Sequence, residues 1–311
     1  MFGRLRNCSI RNLYFAVILV ASARSSNATA IVYMVTPKGI VVGADGLTVT
    51  GVGCGLQGQP RTSTARKIFL LKHRLVLASR NAEGVKAKDG RTKLYDFPTW
   101  TKVINQKLDS GATVEVLARL VEDESPKAFS FLFSDLMAPM CWNNDNAFCH
   151  DEPFVQYVIA GYELGVPVVY SVNLTVNCEK LSIKATPRVL IEPPKGQHVD
   201  ARADGFGAAW LVFKLQICAT DGDAYKRAIA EFPNQRNAFC AGDFKKVTLK
   251  QASDMLRILL QLDSEIYPSF VGFPLTIIIL PKEGRGRVST YSKPFPRLPD
   301  SSHQKSQQKE Q

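Results

Sequence analysis

The cysteines and histidines of this sequence could do metal chemistry, and their spacing argues against it. His73, His150, His198 and His303 are scattered, and neither a Cys-x-x-Cys nor a His-x-x-x-His spacing occurs. No metal site and no cofactor is expected. Seven cysteines are present, of which Cys8 falls in an N-terminal stretch that reads as removable. The even number that would remain fits disulfides in an oxidising compartment. Cys141 and Cys149 bracket the short polar run CWNNDNAFC and are the candidate pair. The other four read equally well as buried free thiols.

The start of the chain carries chemistry of another kind, a processing site. Arg4, Arg6 and Arg11 form a basic region ahead of the apolar run LYFAVILVASA. That run is shorter than the roughly 20 residues needed to cross a bilayer as a helix, but it suits the core of a secretory signal peptide. Two small-residue sites follow, Ala21-Ser22-Ala23 and Ser26-Asn27-Ala28. Residues 1–28 are therefore expected to be a signal peptide. Its removal leaves an exported protein, periplasmic or extracellular, with no stable membrane anchor.

The formal charge of +11 suggests nucleic acid until it is located along the chain. Residues 1–28 hold Arg4, Arg6, Arg11 and Arg24 and no acid, and residues 282–311 hold seven Lys or Arg against Glu283, Asp300 and Glu310. Each end contributes +4, which leaves +3 over residues 29–281. A phosphate-gripping domain concentrates its basic residues on a folded face, so no nucleic-acid partner is expected.

The elements that must carry any site follow from patterning. Residues 30–35 and 40–44 are apolar strands joined by Thr36-Pro37-Lys38-Gly39, a hairpin. Residues 51–64, rich in Gly, Thr and Ser, read as a loop. Strands are expected at 67–71 and 75–79, helices at 95–108 and 114–124, and further strands at 128–133, 155–160, 167–172 and 181–185. A helix is expected over 207–219. Thr248 N-caps an amphipathic helix to Leu262 with Ala252, Met255, Leu256, Leu259 and Leu260 on one side. Residues 275–280 form the last strand, and the Pro-, Ser-, Gln- and Lys-rich residues 282–311 read as a disordered tail. Strands, helices, strands, helices and a strand suggest two sheets with helices outside.

With these elements in place, the run TAIVYMVTPKGIVVGAD from Thr29 to Asp45 resembles the opening of proteasome β-type subunits and their bacterial protease relatives. Thr29, Gly39, Ala44 and Asp45 stand at that family's separations, and Lys67-Ile68-Phe69 resembles its lysine-led strand. Ile159-Ala160-Gly161-Tyr162 with Val168-Val169-Tyr170-Ser171-Val172 is similar to its central hairpin, and Val271-Gly272-Phe273-Pro274 to the approach to its last strand. The resemblance spans residues 29–281. It implies an α+β fold, the four-layer α-β-β-α sandwich of N-terminal nucleophile (Ntn) hydrolases, built from two mostly antiparallel sheets.

The same resemblance implies the chemistry. Thr29, once it is the first residue, would be the nucleophile, with its own α-amine as base. Lys67 would favour the neutral amine, and Asp45 would hold Lys67. The turn at Asn81 and Ala82 would supply oxyanion N–H donors. The implied partner is a peptide or other amide substrate, and a homo-oligomer is possible. Cleavage after Ala28 frees Thr29; cleavage after Ala23 leaves residues 24–28 over the amine. Departures from the family pattern are Phe206, Pro268 and Val271 where it places polar residues, Asn81-Ala82-Glu83 where it places glycines, and a longer loop before Lys67 with Gly53-Cys54-Gly55. These departures keep open a catalytically inactive structural or binding protein of the same fold.

Overall fold

The computed structural model describes residues 29–50, 61–80, 84–86, 93–130, 153–177, 180, 182–191, 203–207, 244–268 and 271–294. The expected signal peptide at 1–28, the pair Cys141 and Cys149, and the turn at Asn81 and Ala82 lie outside these residues.

The first apolar run forms β1 (Ala30–Thr36), which turns through Pro37 and Lys38 into β2 (Gly39–Ala44). Every residue of both strands is buried. A strand this uniformly apolar must be covered on both faces, and the core divides accordingly. Ile31, Tyr33 and Val35 pack with Val42, Ile68, Val76, Val158 and Ile278 between two sheets. Ala30, Val32 and Met34 pack instead with Leu256, Leu259 and Leu260 of a helix.

One sheet has the order β12-β1-β2-β13-β14, with β12 (Ala203–Gly207), β13 (Leu275–Pro281) and β14 (Arg287–Tyr291). The other has the order β11-β10-β9-β6-β5, with β5 (Ile68–Leu71), β6 (Leu75–Arg80), β9 (Val155–Glu163), β10 (Val166–Asn177) and β11 (Ser182–Ile191). All their pairings are antiparallel. Two small ladders, β3 (Leu47–Thr50) with β4 (Arg61–Thr64) and β7 (Gly84–Lys86) with β8 (Lys93–Asp96), stand outside the main sheets.

The outer face of the second sheet is covered by α1 (Phe97–Lys107) and α2 (Val114–Ala128), whose Phe97, Ile104, Leu117 and Val121 meet Leu77, Tyr157 and Ile159. The first sheet is covered by α3 (Leu249–Ile266). Among the described residues the architecture is thus an α+β sandwich of four layers, α-β-β-α. The five positions expected on the apolar side of α3 are all buried. Thr248 caps its first turn by a reciprocal exchange with Gln251.

Several sequence expectations need correction, beginning with the helix expected from Tyr95, which starts at Phe97 because Lys93–Asp96 is strand β8 and Asp96 caps the helix. Residues 61–64 are strand β4 and not loop, because Thr62 and Thr64 are β-branched and their backbone pairs with β3. Ala128 ends α2, and Phe129 and Ser130 form a turn where a strand was expected, since Phe129 buries its ring against Tyr95 and Phe154. Gly207 closes β12 rather than opening a helix, and 208–219 lie outside the described residues. The tail does not begin at 282: Gly284, at φ 92, turns the chain, and Arg287–Tyr291 pairs along β13.

Candidate active site

Thr29 immediately precedes β1, at the end of the first sheet where β2 finishes. At that end Asp45 leaves β2, and its backbone N–H donates to the Ala30 carbonyl at 3.1 Å. The side chain turns back on the same strand pair. Oδ1 accepts the Ala30 N–H at 2.8 Å and Lys67 Nζ at 3.0 Å. Oδ2 accepts the N–H of Leu47 at 3.0 Å and of Gly272 at 3.2 Å. Each carboxylate oxygen therefore carries two donors.

Lys67 stands just before β5 in the second sheet and spans the gap between sheets. Its carbonyl accepts the Ser79 N–H at 2.9 Å, while Nζ meets Asp45 and also donates to the Leu47 carbonyl. Thr29 is 2% exposed, and Asp45 and Lys67 are each 1% exposed. Burial raises the Asp45 carboxyl above its usual range, while the Lys67 ammonium and the Ala30 and Gly272 N–H groups pull it back. The β1 alternation, with odd residues facing the second sheet, carried back from Ile31 sets Thr29 on the face that Lys67 approaches. The Ala30 N–H and the Lys67 ammonium share one oxygen, so Lys67 stands no farther from the Thr29–Ala30 peptide than two hydrogen bonds end to end.

Local sequence explains this convergence. The Gly46 N–H bonds the Gly272 carbonyl at 2.9 Å, and a Cβ on Gly46 would come within 2.5 Å of the Pro274 carbonyl oxygen. Only glycine lets the chain pass there and bring Gly272 to Asp45. Sequence reasoning quoted the Val271-Gly272-Phe273-Pro274 run for its layout and missed that its Gly272 N–H holds Asp45. No side-chain pattern could announce a backbone donor.

Of the predicted residues, the structure brings together Thr29, Asp45 and Lys67. Asn81 and Ala82 follow Arg80, the last residue of β6, and lie outside the described residues. Phe206 pairs with Ile31 and Gly207 with Ala30 on the β12 side. Val271 is buried beneath α3. A second polar group at the same end was missed. Arg80 Nη1 donates to Gln156 Oε1 at 3.2 Å, and Gln156 Nε2 to Asn173 Oδ1 at 3.0 Å. These three form one rung across β6, β9 and β10. Alternation puts the rung on the face toward the first sheet, where Ala78, Val158 and Ala160 are apolar. The available signal was a polar residue at an inward position of each apolar strand.

Chemically, the arrangement fixes a buried cation beside the first peptide of β1. Among the described residues no group of His, Cys, Asp and Glu could hold a metal.

Neither a scan of family models nor a search of curated proteins returns a match. Among solved structures the chain is similar to a Gly-1 mutant of Anbu from Hyphomicrobium sp. strain MC1, at 15% identity and a TM-score of 0.43, over 85% of this chain and 87% of that one. It is also similar to Anbu from Yersinia bercovieri, described as an ancestral beta-subunit, at 12% identity and a TM-score of 0.45 over the same shares. Both likenesses are distant, and the functional reading rests on the site itself.

Proposed function

We propose that the protein is an exported N-terminal threonine hydrolase, an Ntn enzyme that cleaves peptide or other amide bonds through an acyl-enzyme on Thr29. The observation that carries this reading is the shared Asp45 oxygen, which ties the buried Lys67 ammonium to the Ala30 N–H beside Thr29.

Cleavage after Ala28 converts the Thr29 nitrogen into a free α-amine, whose unperturbed pKa is about 8. A cation held this near disfavours the ammonium and leaves the amine neutral, able to accept a proton. The amine takes the proton of the Thr29 hydroxyl as Oγ1 attacks the substrate carbonyl carbon. The substrate C–N bond breaks, the Thr29 amine passes that proton to the departing substrate nitrogen, and an ester on Oγ1 remains. Water, deprotonated by the Thr29 α-amine, hydrolyses the ester and returns the hydroxyl. Asp45 keeps Lys67 aimed and balances its charge. Backbone N–H groups after β6, at Asn81 and Ala82, would bind the oxyanion, each worth about 3 kcal/mol if well placed.

The competing reading is an inactive structural or binding protein of the same fold. It is favoured by Phe206 and Val271, which put apolar side chains where family members carry polar ones.

N-terminal sequencing with intact mass of the exported protein, followed by electrophile labelling, separates the two. A chain that starts at Thr29, hydrolyses amides and is labelled at Thr29 supports the enzyme. The Thr29→Ala variant is then expected to lose at least about a thousandfold in kcat/KM. A chain that starts at Thr29 and neither turns over nor takes label gives the site to the inactive reading. A chain that still begins at Met1 removes both export and Thr29 catalysis.

A further inference from the structure

The pole of the sandwich opposite Thr29, roughly 20 Å away along β1, gathers cations from four separate stretches of sequence. Lys38 sits in the β1–β2 turn, Lys72 and Arg74 in the β5–β6 turn, Lys282 and Arg285 in the β13–β14 turn, and Lys250 in the first turn of α3. Backbone bonds fix these turns to one another. The Lys282 N–H donates to the Lys38 carbonyl at 2.9 Å, the Gly286 N–H to the His73 carbonyl at 2.8 Å, and Arg74 Nη2 to the Lys282 carbonyl at 3.2 Å. A Cβ on Gly39 would stand 3.1 Å from Leu249 Cδ2, which places Lys250 beside the same turn. Lys38, Arg74, Lys250, Lys282 and Arg285 are all exposed.

At the same pole the β9–β10 hairpin ends in Leu164 and Gly165. Leu164 is 102% exposed at φ 49, and the Arg74 guanidinium lies over the ring of Tyr162 two residues before it. Among the described residues the acids at this pole are Glu283 within the basic turns and, toward α1 and α2, Asp109 near the Lys72 turn that Asn105 bonds, with Glu115 and Glu163, where Glu163 accepts the Glu115 N–H.

A group of exposed cations on mutually bonded turns beside a bare aliphatic tip fits one kind of surface. Phosphate headgroups take the cations, and the acyl boundary beneath them takes the leucine. A single-stranded nucleic acid would instead call for aromatic stacking platforms along a basic groove, and the exposed apolar residue here is a leucine. We infer that this pole docks the folded protein onto an anionic lipid surface, reversibly. Among the described residues no helix is long and apolar enough to cross a membrane. The inference is independent of Thr29 chemistry, since the two sites occupy opposite ends of the sandwich.

The test is co-sedimentation of the full chain with vesicles of mixed phosphatidylglycerol and phosphatidylcholine, and with vesicles of phosphatidylcholine alone. Binding is expected to the mixed vesicles only, and to be released near 0.5 M salt, where the screening length falls to about 4 Å. Each cation lost weakens such binding about fivefold, so the double variant Lys38→Glu, Arg285→Glu is expected to bind at least about twentyfold more weakly. Leu164→Ser is expected to weaken it further. Lys184→Glu, at the Thr29 pole, is expected to leave binding unchanged, and near-ultraviolet circular dichroism confirms that each variant is folded. Equal binding to neutral vesicles, indifference to the charge reversals, or retention by duplex DNA in place of vesicles would overturn the inference.

Discussion

Asp45 and Lys67 form an ion pair whose side chains have no solvent exposure, and such a pair is fragile to half-removal. Taking away Lys67 leaves a buried carboxylate with hydrogen bonds but no counter-charge, a loss that costs about 3–5 kcal/mol. Lys67→Met is therefore expected to lower stability by that amount in denaturant unfolding. Adding Asp45→Asn is expected to restore part of it, because the amide needs no cation. Thr29→Ala changes neither charge and is expected to shift stability far less. If Lys67→Met unfolds no more easily than Thr29→Ala, the pair is not the anchor described here. In the catalytic reading the double variant refolds stability without activity, which separates the two roles of Lys67.

Elements were legible where one force decided them. The helix at 249–266 showed its apolar stripe and its Thr248 cap in sequence because both are local. Thr248→Ala is expected to cost about 1 kcal/mol of stability by thermal unfolding, with activity unchanged. The all-apolar runs at 30–35 and 40–44 announced doubly covered strands for the same reason. Legibility failed where partners are distant. Arg287–Tyr291 alternates only weakly and became a strand because β13 offered a free edge. Arg61–Thr64 became one because Leu47–Thr50 lies across from it. At the site, Thr29, Asp45 and Lys67 were readable through a family resemblance, since spacing along one chain gave each residue little meaning alone. Gln156, Asn173 and Gly272 were not, since their roles depend on rungs and loops assembled from opposite ends of the sequence. One glycine was quoted for its spacing while its physical reason stayed hidden. A Cβ on Gly39 would come within 2.2 Å of the Leu280 carbonyl oxygen, so Gly39→Ala is expected to pry β13 from β2 and lower the melting temperature by several degrees.

For the molecule as a whole, two buried phenols join the layers. The Tyr162 hydroxyl donates to the Leu280 carbonyl at 2.8 Å, binding one sheet to the other, and the Tyr157 hydroxyl shares a 2.9 Å bond with that of Tyr95 beneath α1. Burial pushes both the Tyr157 and Tyr162 phenols above their ordinary range. The sign follows from linkage: the folded chain keeps these protons at a pH where unfolded phenols, near 10, release theirs. Their contribution is fully present below about pH 10 and is lost as pH rises toward the folded values, at about 1.4 kcal/mol per pH unit for each phenol. Unfolding free energy measured from pH 9 to 11 is expected to bend downward near 10, and Tyr162→Phe is expected to soften the bend. An unchanged slope in that variant would assign the alkaline loss to other groups.

The ladders that hold β1 have a consequence for the cleavage proposed after Ala28. Ile31 is locked opposite Ala44 on one side and Phe206 on the other, so the strand cannot slide to correct an error at its start. A slip of one residue would turn every inward side chain outward. A trimming enzyme that cut one bond early or late would leave the frame intact and the new terminus permanently out of place. Under the proposed cleavage after Ala28, fidelity of the cut would rest on the sequence around that bond, with the folded domain as a fixed ruler that can report an error but never repair it.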